Sequence, residues 1–152
     1  MTERFSLDSN VLVYAVNASS PDRHRRAVDI VKASIRRDCV LTLQALVEFY
    51  HAATRKRYMS PRDAAAKVEE LGGVFPLTVA MYHNVLSALP AAVSARSSIW
   101  DVLLLATVEE AGCTLLLSEN MGDGARYGKV AVVNPFKGRT LPLRAAQALG
   151  LR

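Results

Sequence analysis

Three carboxylates lie in apolar stretches of the sequence that would otherwise suit a hydrophobic core. Asp8 follows a short apolar run that starts at Phe5, Glu48 lies within the run 46–50, and Asp101 lies within the run 99–105. Burying an ionised carboxylate without a partner is costly, and bringing like charges together raises their pKa values. Residues of this type at these positions therefore indicate a site that compensates negative charge.

A hard divalent cation removes both penalties, because Mg²⁺ or Mn²⁺ prefers oxygen ligands and retains several water molecules. A fourth polar group follows the apolar run 113–117 and comprises Glu119, Asn120 and Asp123. If these segments meet in the fold, their oxygen atoms can share one crevice. The sequence thus predicts a metal site made of carboxylates.

Each acid also has an ordinary structural interpretation. Asp8 could cap the helix that follows it, and Asp101, three residues after Ser98, could complete a capping pair at a helix start. Glu48 could face solvent, and residues 119–123 could form a polar loop. That all of these acids occupy their positions for unrelated structural reasons is less probable than that any one of them does.

The apolar periodicity predicts strands that alternate with helices. Strands are predicted at 5–7, 39–43, 74–77, 113–117 and 130–133, and helices at 11–16, 23–37, 44–57, 60–71 (ended by Gly72-Gly73), from Thr78 through about 89 and on toward Arg96, with Pro90 as a candidate break, and 99–111. A loop is predicted at 121–128 and a weak helix at 143–149. This alternation favours a parallel sheet with helices on both faces, whose ligands bind at the carboxyl ends of the strands.

Composition predicts one domain spanning 1–152, since 152 residues suffice for a substantial core. No apolar segment approaches the length of a membrane span and no signal peptide is recognisable, so we expect a cytoplasmic protein that does not enter a membrane. Cys39 and Cys113 are expected to be reduced core thiols. The net charge is +5, and the basic residues concentrate at 20–60 and 121–152. Such regions suit a nucleic-acid partner, although they also suit a solvated surface.

Four motifs occur along the chain, namely Leu7-Asp8-Ser9-Asn10-Val11-Leu12, Val47-Glu48-Phe49, Trp100-Asp101 and Leu117-Ser118-Glu119-Asn120. In this order and spacing they together resemble the PIN domain, and more narrowly the VapC-type toxins of bacterial toxin–antitoxin pairs. A later segment with Gly124 and Val133-Asn134-Pro135-Phe136 resembles one subgroup of those toxins. The resemblance extends from about residue 5 to residue 136.

The resemblance implies a three-layer α/β/α sandwich with a central five-stranded parallel sheet, and an acidic pocket that binds Mg²⁺ or Mn²⁺. It also implies a metal-dependent endoribonuclease that acts on RNA and is restrained by a cognate antitoxin protein. We further expect a homodimer. Basic side chains around the pocket would hold the RNA backbone.

The resemblance also assigns roles to individual residues. Asp8 and Asp101 match the principal metal ligands, and Glu48 matches an acid from an early helix. Ser9, Asn10 and Ser118 match small polar residues that support the pocket. Asn120 stands where an aspartate is common, so Glu119 or Asp123 could supply the missing charge as a catalytic or metal-binding acid.

Other side chains are assigned less directly. His24, His51 and His83 lie outside the motifs, and no histidine is needed as a base. Tyr14, Tyr50 and Trp100 could stack on bases, although Tyr50 and Trp100 also suit a core.

Three alternative functions are weaker. A signalling receiver would carry paired acids after its first strand, an acceptor aspartate after its third and a lysine after its fifth, and none of these is present. A nucleotide-binding fold is disfavoured because the glycines at 122, 124 and 128 do not have the required spacing and no Walker-type loop occurs. A PIN-like module that binds RNA or a partner but has little or no catalytic activity stays open, because of Asn120.

Overall fold

The computed structural model describes residues 2–94 and 96–151. The strands are β1 (Phe5–Leu7), β2 (Leu41–Thr42), β3 (Leu77–Thr78), β4 (Leu115–Leu117), β5 (Arg126–Tyr127) and β6 (Val130–Val133). The helices are α1 (Ser9–Tyr14), α2 (Pro21–Ser34), α3 (Leu43–Arg55), α4 (Pro61–Val74), α5 (Tyr82–Val93), α6 (Ile99–Glu110) and α7 (Leu143–Leu149).

The strands form two ladders that meet at β1. One ladder has the order β1-β4-β6-β5, and the other pairs β2 with β3. An isolated parallel bridge between Phe5 and Cys39 joins the two, supported by a 3.0 Å hydrogen bond from the Val40 amide to the Phe5 carbonyl. The strand pairs β2–β3, β1–β4 and β4–β6 are parallel, so the ends of these strands point to the same edge of the sheet.

Two hydrophobic clusters cover the two faces of the sheet. Leu115 and Leu117 belong to a cluster that includes residues of α1, α2, α3, α4 and α7, whereas Leu116 belongs to a second cluster with Leu104 and Val108 of α6. Successive strand residues point to opposite faces, which is why β4 is apolar throughout. The predicted three-layer α/β/α architecture is confirmed.

The prediction of an entirely parallel sheet needs one correction. All five predicted strands occur, although β3 overlaps its predicted range only at Leu77, and the predicted loop 121–128 contains the additional strand β5. β5 pairs antiparallel with β6, with Arg126 opposite Ala131 and Tyr127 opposite Val130. Two residues with only one large apolar side chain carry no periodic signal, so the sequence could not reveal this hairpin.

The predicted end of α4 at Gly72-Gly73 was wrong, since the helix continues to Val74. Neither glycine adopts a positive φ. The helix ends instead where Phe75 takes extended backbone angles (φ −101°, ψ 143°). Phe75 precedes Pro76, whose ring disfavours the helical conformation of the residue before it.

The predicted start of the next helix at Thr78 was also wrong. Thr78 pairs with Thr42 in the β2–β3 ladder, and α5 begins at Tyr82, where the Asn84 side chain accepts a 2.8 Å hydrogen bond from the Met81 amide. Pro90 does not break the helix, which runs to Val93. Pro90 is exposed, so water can reach the carbonyl that lacks a helical donor there.

Cys39 and Cys113 are buried free thiols, as predicted. Burial raises the pKa of both thiols, which keeps them protonated. No helix within the described residues is both long enough and apolar enough to span a membrane.

Candidate active site

Asp8 lies directly after β1 and is held by three donors. Its Oδ1 accepts a 2.7 Å hydrogen bond from the Ser9 amide, so Asp8 caps α1. Its Oδ2 accepts from the Ser118 hydroxyl (2.8 Å) and the Asn10 amide group (3.3 Å). Since Ser118 follows β4, the neighbour of β1, the parallel pairing brings these groups to one edge of the sheet. Asp8 therefore caps α1 with one carboxylate oxygen while the other contacts Ser118 and Asn10.

The charge of Asp8 is only partly compensated. The side chain is 5% exposed, and burial raises its pKa. The hydrogen bonds from Ser118 and Ser9 lower this pKa, while the negative charges of Glu48 and Asp101 raise it. Asp8, Glu48 and Asp101 are thus within electrostatic reach of one another.

Glu48 is held from two sides although it is separated from Asp8 by 40 residues. Gln44, one turn earlier on α3, donates a 2.7 Å hydrogen bond to Glu48 Oε1, and the Ser9 hydroxyl donates to Oε2 at 3.4 Å. Gln44 also donates to the Trp100 carbonyl at 2.9 Å. Gln44 therefore ties the helix that carries Glu48 to the first turn of α6.

Asp101 lies in the first turn of α6. Ser98 caps this helix by accepting from the Trp100 amide at 3.2 Å, so the capping does not involve Asp101. Burial raises the pKa of Asp101, and the charge of Glu48 raises it further. The charges of Asp101 and Glu48 therefore influence each other.

Glu119 and Asp123 are engaged outside this group of three. Glu119 accepts from the Tyr14 hydroxyl (2.7 Å) and from Arg23 Nε (2.8 Å). Asp123 accepts from the Asn134 amide at 2.9 Å, which holds its pKa below the usual range, and forms an ion pair with Lys137. In this structure both carboxylates stabilise loops, and the structure does not bring them into the cluster of Asp8, Glu48 and Asp101.

The strand β4 is followed by a small polar network. The Asn10 side chain donates to the Ser118 hydroxyl and accepts from the Glu119 amide, both at 3.2 Å. The Asn120 amide donates to the Ser118 hydroxyl at 3.2 Å, and Asn120 is exposed. Ser9, Asn10 and Ser118 therefore contact the acids, whereas Asn120 supports them through its backbone.

The family model of the PIN domain matches residues 6–122 of the chain. This region includes β4, all of β1 except Phe5, and the residues that surround Asp8. The chain belongs to the PIN domain family. No match was found among curated protein sequences.

Two solved structures have the same fold as this PIN domain. VapC20 of Mycobacterium tuberculosis, described as a toxin that cleaves the sarcin–ricin loop, superposes with a TM-score of 0.63 at 19% identity, covering 76% of this chain and 89% of the other. VapBC2 of Rickettsia felis, solved with a DNA fragment from its promoter, gives 0.60 at 13% identity, covering 84% and 96%. At these low identities, it is the TM-scores that show the shared fold.

The donor set of this PIN domain fits a hard cation. Asp8, Glu48 and Asp101 offer only oxygen atoms, and the pKa values of Asp8 and Asp101 are raised by burial first and by neighbouring negative charge second, both of which a cation would offset. Among the described residues, no three His, Cys, Asp or Glu side chains already stand in a metal-coordinating arrangement. Two carboxylates suffice for Mg²⁺, because it commonly keeps several of its water ligands.

Several contributors to the site were missed in the sequence. Gln44 could have been noticed, because it precedes Glu48 by four residues and so lies on the same helical face. Arg23 could not, since 96 residues separate it from Glu119. The buried Oε1 atom of Gln44 has no hydrogen-bond partner among the described residues. The side chain is therefore oriented by the two hydrogen bonds that its Nε2 atom donates.

Of the two alternatives for Trp100 and Tyr50, the position in the core was wrong. Trp100 is 62% exposed and Tyr50 is 37% exposed, since their helices turn these rings outward. The exposed Trp100 ring lies next to Asp101 in sequence and can stack on a base. Tyr14 is partly buried, and burial together with the Glu119 hydrogen bond raises its pKa to about 12.

Proposed function

We propose that this PIN domain is a metal-dependent endoribonuclease that acts as the toxin of a toxin–antitoxin pair. The observation that carries the proposal is that hydrogen bonds link Glu48 to Ser9 and, through Gln44, to the first turn of α6, which places Asp8, Glu48 and Asp101 in one region beside the carboxyl end of β1. The fold shared with VapC20, a toxin that cleaves the sarcin–ricin loop, supports the same assignment.

Asp8 and Asp101 are the residues that would bind Mg²⁺ or Mn²⁺. The bound ion would polarise a phosphate oxygen and acidify a water molecule. Glu48, oriented by Gln44 and Ser9, accepts a hydrogen bond from the attacking water. The donors around Asp8 keep its carboxylate in one orientation, so that it need not reorganise when substrate binds.

The test is cleavage of a mixed RNA pool with and without Mg²⁺, comparing the natural chain with Asp101→Ala. We expect cleavage that requires the divalent ion and that falls roughly a hundred-fold or more in the variant, since even indirect metal partners are worth 10- to 100-fold. Glu69→Ala, which removes an exposed acid from α4, is the matched control and retains full activity.

Equal cleavage by both proteins would remove Asp101 from the mechanism. Absence of cleavage by the natural chain, with RNA binding retained, would favour the alternative of a catalytically weak or inactive PIN-like module. The exposed Asn120, at a position where the resemblance expects an aspartate, is the feature that supports this alternative.

The homodimer is a further part of the proposal. Large apolar side chains are exposed along α5 and the segment before it, namely Val79, Met81, Tyr82, Leu86, Leu89 and Val93. A contiguous surface of this kind is typical of an interface. Sedimentation velocity is expected to give a dimer that Tyr82→Ser/Leu86→Ser converts to a monomer, while Leu143→Ser on α7 leaves it unchanged. A monomeric natural chain would contradict this assignment.

A small antitoxin is the proposed protein partner. The apolar groove between α1, α2 and α4, which includes Ile35 and Val74, is exposed and suits an amphipathic helix of that partner. Addition of the cognate antitoxin is expected to stop RNA cleavage by the natural chain and not by Ile35→Asp. Equal inhibition of both would place the contact elsewhere.

A further inference from the structure

A groove of about 710 Å³ lies between α2 and the segment 136–141. Its charged side chains are Asp22, Arg23, Arg25, Arg26, Asp29 and Arg139. Four cations against two anions leave it positive. The N-terminal end of α2 also opens here, and Ser20 gives it no side-chain cap hydrogen bond among the described residues. The positive end of that helix dipole adds to the attraction for an anion.

Arg26 builds one wall of the groove. Its guanidinium donates to the carbonyl oxygens of Pro135 (3.0 Å), Gly138 (3.2 Å) and Arg139 (2.6 Å). These bonds fix the segment that carries Arg139 against α2. Arg26 therefore has a structural role, and the guanidinium groups of Arg25 and Arg139 are the ones that can contact a ligand.

Arg25 and Arg139 are available to an incoming anion. The only ion pair of Arg25 within the described chain is with Asp22, at 2.5 Å, and both side chains are largely exposed (72% and 95%). Exposed pairs of this kind are weak, so a phosphate can replace the carboxylate. Arg139 is exposed, and its contact with Arg26 uses only the backbone carbonyl.

Arg23 connects this groove to the acidic site. It lines the groove, donates to Glu119 at 2.8 Å and lies over the Tyr14 ring at 5.7 Å. Glu119 follows Ser118, whose hydroxyl donates to Asp8. Arg23 thus contacts Glu119, and the neighbouring Ser118 contacts Asp8. The groove therefore leads towards Asp8, and Glu119 holds the Arg23 guanidinium between the groove and Asp8.

We infer that this basic groove binds the sugar–phosphate backbone of single-stranded RNA beside the cleavage site, with Arg25 and Arg139 as phosphate contacts and Arg23 at the junction. The inference rests on the proposed ribonuclease function. A positive groove that tracks a backbone towards a site of chemistry is the arrangement used for single strands. Glu119 has the role of a positioning residue, since its Oε1 accepts from the Tyr14 hydroxyl and its Oε2 accepts from Arg23.

The experiment measures binding of a fluorescent single-stranded RNA of mixed sequence by anisotropy, in EDTA so that the RNA stays intact, over a series of salt concentrations. The groove variant Arg25→Gln/Arg139→Gln is compared with the control variant Arg55→Gln/Arg62→Gln. The control removes the same charge from two exposed positions, at the C-terminal end of α3 and in the first turn of α4. Thermal unfolding verifies that all three proteins fold equally well.

We expect the groove variant to bind roughly ten-fold more weakly and its salt dependence to be shallower by about 1.4 logarithmic units per decade, the loss of two single-strand phosphate contacts. The control is expected to match the natural chain. Equal RNA binding by the natural chain and both variants would overturn the inference and favour an acidic protein as the ligand of the groove. Equal weakening of RNA binding in both variants would also overturn it, because net charge alone would then explain the loss.

The two proposals can fail separately. Magnesium-dependent RNA cleavage combined with unchanged binding by the groove variant would overturn only the groove. Failure of the natural chain to bind or cleave RNA would overturn the ribonuclease function, and the groove assignment with it.

Discussion

Asp8 illustrates how one residue can stabilise a helix locally and still cost stability through its charge. Folding raises its pKa above the ordinary value of 3.8 because the side chain is buried near Glu48 and Asp101. The folded state therefore holds the proton more tightly than the unfolded chain. The resulting stabilisation is complete below pH 3.8 and is lost as the pH rises through the folded-state pKa.

Asp8→Asn is therefore expected to raise the melting temperature at pH 7 in the absence of divalent ions. Asn caps a helix as well as Asp does, so the cap of α1 is retained. The gain should shrink towards pH 3.8, where the natural side chain becomes protonated. Thermal unfolding across this pH range tests it, with Glu69→Gln as the surface control. The prediction would be contradicted if the difference in melting temperature between Asp8→Asn and the natural chain were smaller at pH 7 than at low pH.

Gln44 is predicted to act through Glu48. Gln44→Ala removes the 2.7 Å bond that orients the carboxylate, and we expect kcat for RNA cleavage to fall roughly 10- to 100-fold with KM nearly unchanged. Gln147→Ala on the exposed side of α7 is the matched control. A fall in thermal stability without a change in kcat would show that Gln44 is only structural.

At the scale of elements, the junction between β2 and α3 positions the helix that carries Gln44 and Glu48. Buried Thr42 pairs with Thr78 and accepts a 3.0 Å hydrogen bond from the Ala45 amide, which caps α3. A strand and a helix thus share one residue. This coupling fixes the start of α3 relative to the sheet.

Thr42→Val preserves the shape of the side chain and removes the cap. We expect the free energy of unfolding to fall by about 0.5–2 kcal/mol. Thr42→Ser, which keeps the hydroxyl, should lose less. Urea denaturation with an unchanged m-value measures the difference. Equal losses in both variants would assign the effect to packing of the methyl group.

At the scale of the whole molecule, a cation that binds only the folded chain must raise its stability. With Mg²⁺ at a hundred times its dissociation constant, the gain is about 2.7 kcal/mol. Calorimetry is expected to show this rise for the natural chain and for Glu69→Gln, and to show none for Asp101→Asn. A shift that survives in Asp101→Asn would place the ion elsewhere.

The sequence by itself determined the layered fold and the three central acids. Apolar runs such as 115–117 have the length and composition of buried strands, and the position of Asp8 after such a run is a local property. The chain order of strands and helices then restricts the sheet to few topologies. These features depend on periodicity and short-range sterics, which the sequence displays directly.

Only the tertiary structure decided where the remaining polar groups point. Glu119 lies two residues after the end of β4, close to where Asp8 follows β1, yet it binds Tyr14 and Arg23, which lie about a hundred residues earlier in the chain. The same holds for Arg26, whose partners lie in the segment 135–139. The physical reason is that a long side chain reaches several candidates, and long-range packing selects the one that satisfies its charge.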